Sequence, residues 1–72
     1  MYELKAELTA TVWVMRAEVG QRVAAGDEIM ILESMKMEIP VETEVSGVVR
    51  ELLVGEGSAV GEGDVLALIE TN

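Results

Sequence analysis

The 72-residue chain contains no cysteine, no histidine and no phenylalanine. Without cysteine there is no disulfide and no thiolate metal ligand, and without histidine the usual general base and near-neutral pH switch are missing. Most hydrolytic mechanisms thereby lose their customary residues. The aromatics are only Tyr2 and Trp13, so the core must be built from Val, Ile, Leu and Met, a composition that favours strands. Positive charge is scarce as well: five Lys and Arg against 14 Asp and Glu give a formal charge of −9. Such a surface repels phosphate backbones and anionic membranes, so neither nucleic acid nor membrane is expected as a partner. No stretch approaches the roughly 20 apolar residues of a membrane span, and Met1 to Lys5 lacks the basic-then-apolar opening of a secretory signal. A cytoplasmic location is therefore expected. The length allows one domain, 1–72, whose core alone supplies about 3–5 kcal/mol, and a deep enzyme cleft is not expected in it.

What is present is a repeat. Sliding the chain on itself by 37 positions places Gly20 on Gly57, Val23 on Val60, Gly26 on Gly63, Asp27 on Asp64 and Glu33 on Glu70. Val12 falls on Val49, Ile29 on Leu66, Ile31 on Leu68 and Leu32 on Ile69. Identities at one fixed offset point to duplication, with half-repeats at about residues 9–34 and 46–71 related by a pseudo-two-fold axis. Each half reads as strand, glycine-bounded loop and strand: Thr11 to Arg16 and Glu28 to Ser34, then Val48 to Leu53 and Asp64 to Thr71. Leu4 to Leu8 and Glu38 to Glu42 add edge strands. The runs IMIL and VLALI are too short for helices and apolar throughout, as strands buried in a sandwich are. In the loops "VGQRVAAGD" and "EGSAVGEGD", glycines supply positive φ and Val23 or Val60 can plug the core. Leu4, Leu8, Val12, Met15 and Val19 also line one helical face. The β-branched Thr9, Thr11, Val12 and Val14, together with the glycine that opens the matching "SGVVRELL", decide for strand.

Between the halves, "ESMKMEIPV" runs from Glu33 to Val41. A buried strand ends at Ser34 and an extended segment begins at Glu38, so Met35 to Met37 must turn the chain. Two-residue hairpins favour Asn or Gly because both central residues need positive φ. This turn offers Met, Lys and Met, and local rules are often broken where function requires it. A longer, unstrained loop is the alternative. The offset carries position 36 just past Asn72, so Lys36 and the chain ends are pseudo-equivalent, at opposite poles. Lys5 and Lys36 are the two lysines, and Lys5 falls in an edge strand, where charge commonly blocks unwanted pairing.

The stretch "ESMKMEIP", the repeated halves and Gly47 in "VSG" resemble the biotin/lipoyl attachment domains, in particular the biotinyl branch marked by Met-Lys-Met. The resemblance covers nearly the whole chain. It implies an all-β fold, a flattened eight-stranded barrel or sandwich of two four-stranded antiparallel sheets with the lysine at an exposed hairpin tip. It further implies that Lys36 receives biotin covalently, with Met35, Met37 and Glu33 helping a biotin protein ligase recognise the hairpin. Lipoyl domains usually place Asp before the lysine and Ala after it, which favours biotin here. The alanine/proline-rich leader and protruding thumb of many acetyl-CoA carboxylase carriers have no counterpart, so the chain looks more like a short biotin attachment protein or a carrier domain of a longer carboxylase.

The lysine amine must be neutral to attack the ligase's biotinyl adenylate. At a reference pKa of ~10.4, only about one exposed lysine in a few thousand is neutral at pH 7, so the ligase must remove the proton. By the same resemblance, the tethered biotin shuttles a carboxyl group between biotin carboxylase and carboxyltransferase subunits or domains. The carrier then acts by tethering, without catalysing bond chemistry. A lipoyl carrier and an unmodified β-sandwich interaction module are the competing readings. "GEGSAVGEGD" lacks the lysine and hydroxyl of a phosphate loop, and the repetition of Asp27 at Asp64 points to turn architecture, not a metal site.

Overall fold

The structure, a computed structural model, describes residues 1–71. Asn72, expected at the pole opposite Lys36, lies outside them. Eight strands follow one another: β1 Tyr2–Lys5, β2 Ala10–Met15, β3 Arg22–Val23, β4 Glu28–Ser34, β5 Met37–Glu42, β6 Gly47–Leu52, β7 Ala59–Val60 and β8 Val65–Thr71. They form two four-stranded antiparallel sheets, ordered β1-β8-β6-β3 and β5-β4-β2-β7. The expected all-β architecture is thus found.

The 37-residue offset carries β2, β3 and β4 onto β6, β7 and β8 with matching bounds, and it exchanges the two sheets strand for strand. Smaller features obey it too. Gly20 and Gly57 have φ of 93° and 92°, Gly26 and Gly63 of 96° and 90°. Asp27 Oδ2 accepts from the Ala24 N–H at 2.9 Å and Asp64 Oδ2 from the Gly61 N–H at 2.7 Å, so both aspartates build turns. Register shifts fall between Val12 and Val14 in β2 and between Val49 and Glu51 in β6. Val23 and Val60 are buried and plug the core, as expected. The core between the sheets is aliphatic, centred on Val12, Ile29, Met30, Leu32, Val49, Leu66 and Ile69.

Two expectations need correction. The first edge strand spans Tyr2–Lys5, not Leu4 to Leu8. Ala6 donates to the Asp64 carbonyl and accepts from the Gly63 N–H, which draws the chain out of β1. Residues 7–9 bend to carry it from one sheet to the other. The second correction concerns β3 and β7, read as loop from the sequence. Two residues are too few to show a period of two, and these strands exist only through tertiary pairing, Arg22 and Val23 with Val48 and Gly47, Ala59 and Val60 with Thr11 and Ala10. The remaining bounds differ from expectation by one residue at most.

Candidate functional site

Strands β4 and β5 pair Leu32 with Ile39, Glu33 with Glu38 and Ser34 with Met37. Two residues remain to close the hairpin, Met35 at φ 53° and Lys36 at φ 65°. Positive φ at both central positions is the type I′ arrangement, whose twist matches that of the flanking strands. The longer, unstrained loop is therefore not what forms. Neither residue is Gly or Asn, and left-handed backbone costs a side-chain-bearing residue of order 1 kcal/mol or more. Packing imposes that geometry: Ile29, Met30 and Leu32 are fully buried, and the β4–β5 ladder continues down to Glu28 and Glu42.

The tip is all side chain. Met35 is 92% exposed and Met37, the first residue of β5, 62%; Lys36 between them is exposed. Neither methionine belongs to the packed core. Glu33 and Glu38 face one another across the ladder, both exposed, and among the described residues neither carboxylate has a hydrogen bond or ion pair. Like charges directly opposite are unfavourable in an antiparallel pair. The hairpin thus brings together all four residues singled out from the sequence: Glu33, Met35, Lys36 and Met37. Lys5, by contrast, lies on edge strand β1, 3.6 Å from the Glu3 carboxylate.

A groove of about 320 Å³ runs between β1 and β5, lined by Tyr2, Leu4, Leu8, Ile39 and Val41 among others. Partial burial, and then the Glu44 and Glu7 carboxylates, push the Tyr2 phenol above its ordinary value. Neither Lys36 nor its flanking methionines line this groove. The Lys36 residue stands exposed on a two-residue turn, outside this groove, where a second macromolecule can reach it. That arrangement suits covalent loading and is useless for enclosing a substrate.

The family of biotin-requiring enzymes, the biotin/lipoyl attachment family, matches residues 5–69, including the whole hairpin. The chain belongs to the biotin/lipoyl attachment family. It is 43% identical over 60 residues to the biotin/lipoyl attachment protein of Bacillus subtilis, spanning 83% of this chain and 82% of that one. It is 39% identical to the biotinylated protein TB7.3 homolog of Mycobacterium leprae, over 93% of this chain and 94% of that one. Among solved structures, the urea carboxylase of Kluyveromyces lactis contains the same fold at a TM-score of 0.90 and 39% identity. The match covers 96% of this chain but 6% of that protein.

In the sequence Trp13 stands out only as one of two aromatics within a strand, whereas the structure leaves it 46% exposed on the sheet that carries the hairpin. The available signal was the repeat, which sets Trp13 over Arg50.

Proposed function

We propose that the protein is a biotin carboxyl carrier, with Lys36 the residue that a biotin protein ligase loads. The observation that carries this reading is the turn itself. A two-residue hairpin holds Met35 and Lys36 in left-handed backbone and turns three large side chains outward, where they do nothing for the fold. Met35, Met37 and Glu33 are the contacts by which the ligase selects this hairpin, and the free Glu33 carboxylate is available for a cationic group of the enzyme.

Loading joins Lys36 Nζ to the carboxyl carbon of the ligase's biotinyl adenylate as an amide; the acyl–phosphate C–O bond breaks, AMP leaves, and the amine gives up its proton to the ligase. The residues present fit the group: an exposed primary amine, a rigid base and no competing wall around it. Once attached, biotin supplies the carboxyl-carrying chemistry between a biotin carboxylase and a carboxyltransferase. The chain itself performs no catalysis and contributes only reach and local concentration. Methionine on both sides of the lysine favours biotin over lipoate, and so does the 39% identity to a protein named as biotinylated. A single carrier domain over 1–72 and a cytoplasmic site of action belong to the same reading, the latter supported by a cysteine-free composition with no need of an oxidising compartment.

Intact mass measured after co-expression with a biotin ligase and biotin, followed by streptavidin capture, tests this. The expected result is one biotin on the wild-type chain and none on Lys36→Arg. A folded wild-type chain that stays unmodified beside an active ligase sinks the biotin reading. One lipoyl group instead, found after co-expression with a lipoate ligase, would establish the lipoyl alternative.

A further inference from the structure

The duplication makes each outer sheet face a control for the other. On the β6–β8 side, Arg50 occupies the register shift of β6 and forms an ion pair with Glu70 of β8. Its neighbours on that face are Glu51, and Glu3 of β1 opposite Leu68. At the places the 37-residue offset makes equivalent stand Trp13 for Arg50, Val14 for Glu51, Pro40 for Glu3 and Glu33 for Glu70. Trp13 occupies the register shift of β2, Val14 lies opposite Ile31, and Ile31 lies opposite Pro40. Ile31 is 8% exposed yet lies outside the main core cluster, as expected of a residue covered from the outer face. One fold thus carries a charged outer face and, at the equivalent positions, an apolar one. The apolar face belongs to the sheet that ends in the Lys36 hairpin.

The exchange of Arg50 for Trp13 has a second effect. Glu70 is neutralised by its arginine, whereas Glu33 has no cationic partner among the described residues. A partner able to bury this surface must present an apolar recess for Trp13 and a cationic group for Glu33. Tryptophan and arginine are the residues that most often dominate binding energy at interfaces.

We propose that Trp13 is a specificity-determining contact for the ligase that modifies Lys36, forming with Glu33 and the flanking methionines one continuous recognition face. This rests on the carrier reading above. Trp13 touches no reacting atom; it fixes how the hairpin is presented.

Because the fold already accommodates arginine at the equivalent position, Trp13→Arg is a mild test. It lets the new guanidinium pair with Glu33 as Arg50 pairs with Glu70, removing both elements of the recognition face at once. With a ligase that biotinylates the wild-type chain, kcat/KM for biotinylation of Trp13→Arg is expected to fall at least about tenfold, the scale of losing an interface tryptophan. Trp13→Phe should retain most of the rate, and Arg50→Trp should behave as wild type. Acylation of Lys36 by a small N-hydroxysuccinimide ester, followed by peptide mass, should not differ between wild type and Trp13→Arg, because a small reagent needs no recognition face. Should Trp13→Arg fail to fold, Trp13→Thr keeps a strand-forming residue and is expected to show the same loss. A folded variant of either kind loaded at the wild-type rate overturns the proposal, as does an equal loss in the ester reaction. A wild-type chain that no ligase loads would instead remove the carrier reading on which the proposal stands.

Discussion

The loops inside each half and the turn between the halves solve the same backbone problem with different residues. Gly20, Gly26, Gly57 and Gly63 sit at positive φ, and a Cβ built on any of them meets nothing within 4 Å. These positions have room for a side chain and none is used, so only the backbone conformation was selected. Met35 and Lys36 need the same left-handed backbone yet carry long side chains that contact no core. Where the chain merely has to turn it uses glycine, and at the tip it keeps left-handed backbone beneath an amine flanked by two thioethers. The departure from local preference falls on the residues proposed as the attachment site.

Four substitutions probe this contrast. The largest effect is expected at Gly47, whose φ is ordinary but whose added Cβ would lie 2.1 Å from the Glu70 carbonyl oxygen and 3.1 Å from Ile69 Cγ2. That clash is with backbone, so Gly47→Ala should cost about 3 kcal/mol, at the upper end of overpacking effects, read as a lower denaturation midpoint. The equivalent residue of the first half, Ala10, already carries a Cβ and is buried without difficulty. The pairing differs accordingly: β6 extends one step further along its partner, Gly47 opposite Thr71, whereas β2 meets β4 first at Thr11 and Glu33.

A middle-sized effect is expected at the paired glycines. Gly26→Ala and Gly63→Ala should each cost about 1–2 kcal/mol, the price of left-handed backbone for a residue with a Cβ. Both lie at the same place in the repeat, so their thermal midpoints should fall by similar amounts, and a clear inequality would break the equivalence of the halves. The smallest effect has the opposite sign. Met35→Asn should stabilise the protein by about 0.5–1 kcal/mol, because Asn tolerates left-handed φ better than Met. A thermal midpoint that fails to rise would mean that Met35 is not strained.

Much of the fold was legible because it is written twice. Short apolar runs, β-branched residues and the fixed offset place the long strands to within a residue, and the offset alone implies that the halves match. Tyr2–Lys5 was misplaced because its end is set by Ala6 bonding to Gly63 and Asp64, residues almost a full chain away. Strands β3 and β7 were invisible because two residues carry no period. The Lys36 hairpin was legible from its composition and position, while its left-handed geometry required coordinates.

By itself, then, the sequence determined the all-β class, the duplication, the aliphatic core and the identity of the residues at the tip, because periodicity and composition are local properties of the chain. Tertiary structure decided the rest. It paired the sheets so that equivalent strands exchange places, drove Met35 and Lys36 into left-handed backbone by anchoring β4 and β5 beneath them, and set Trp13 on the outer face of the hairpin sheet. Those outcomes depend on how the strands pair and which faces the core buries, which composition alone does not fix.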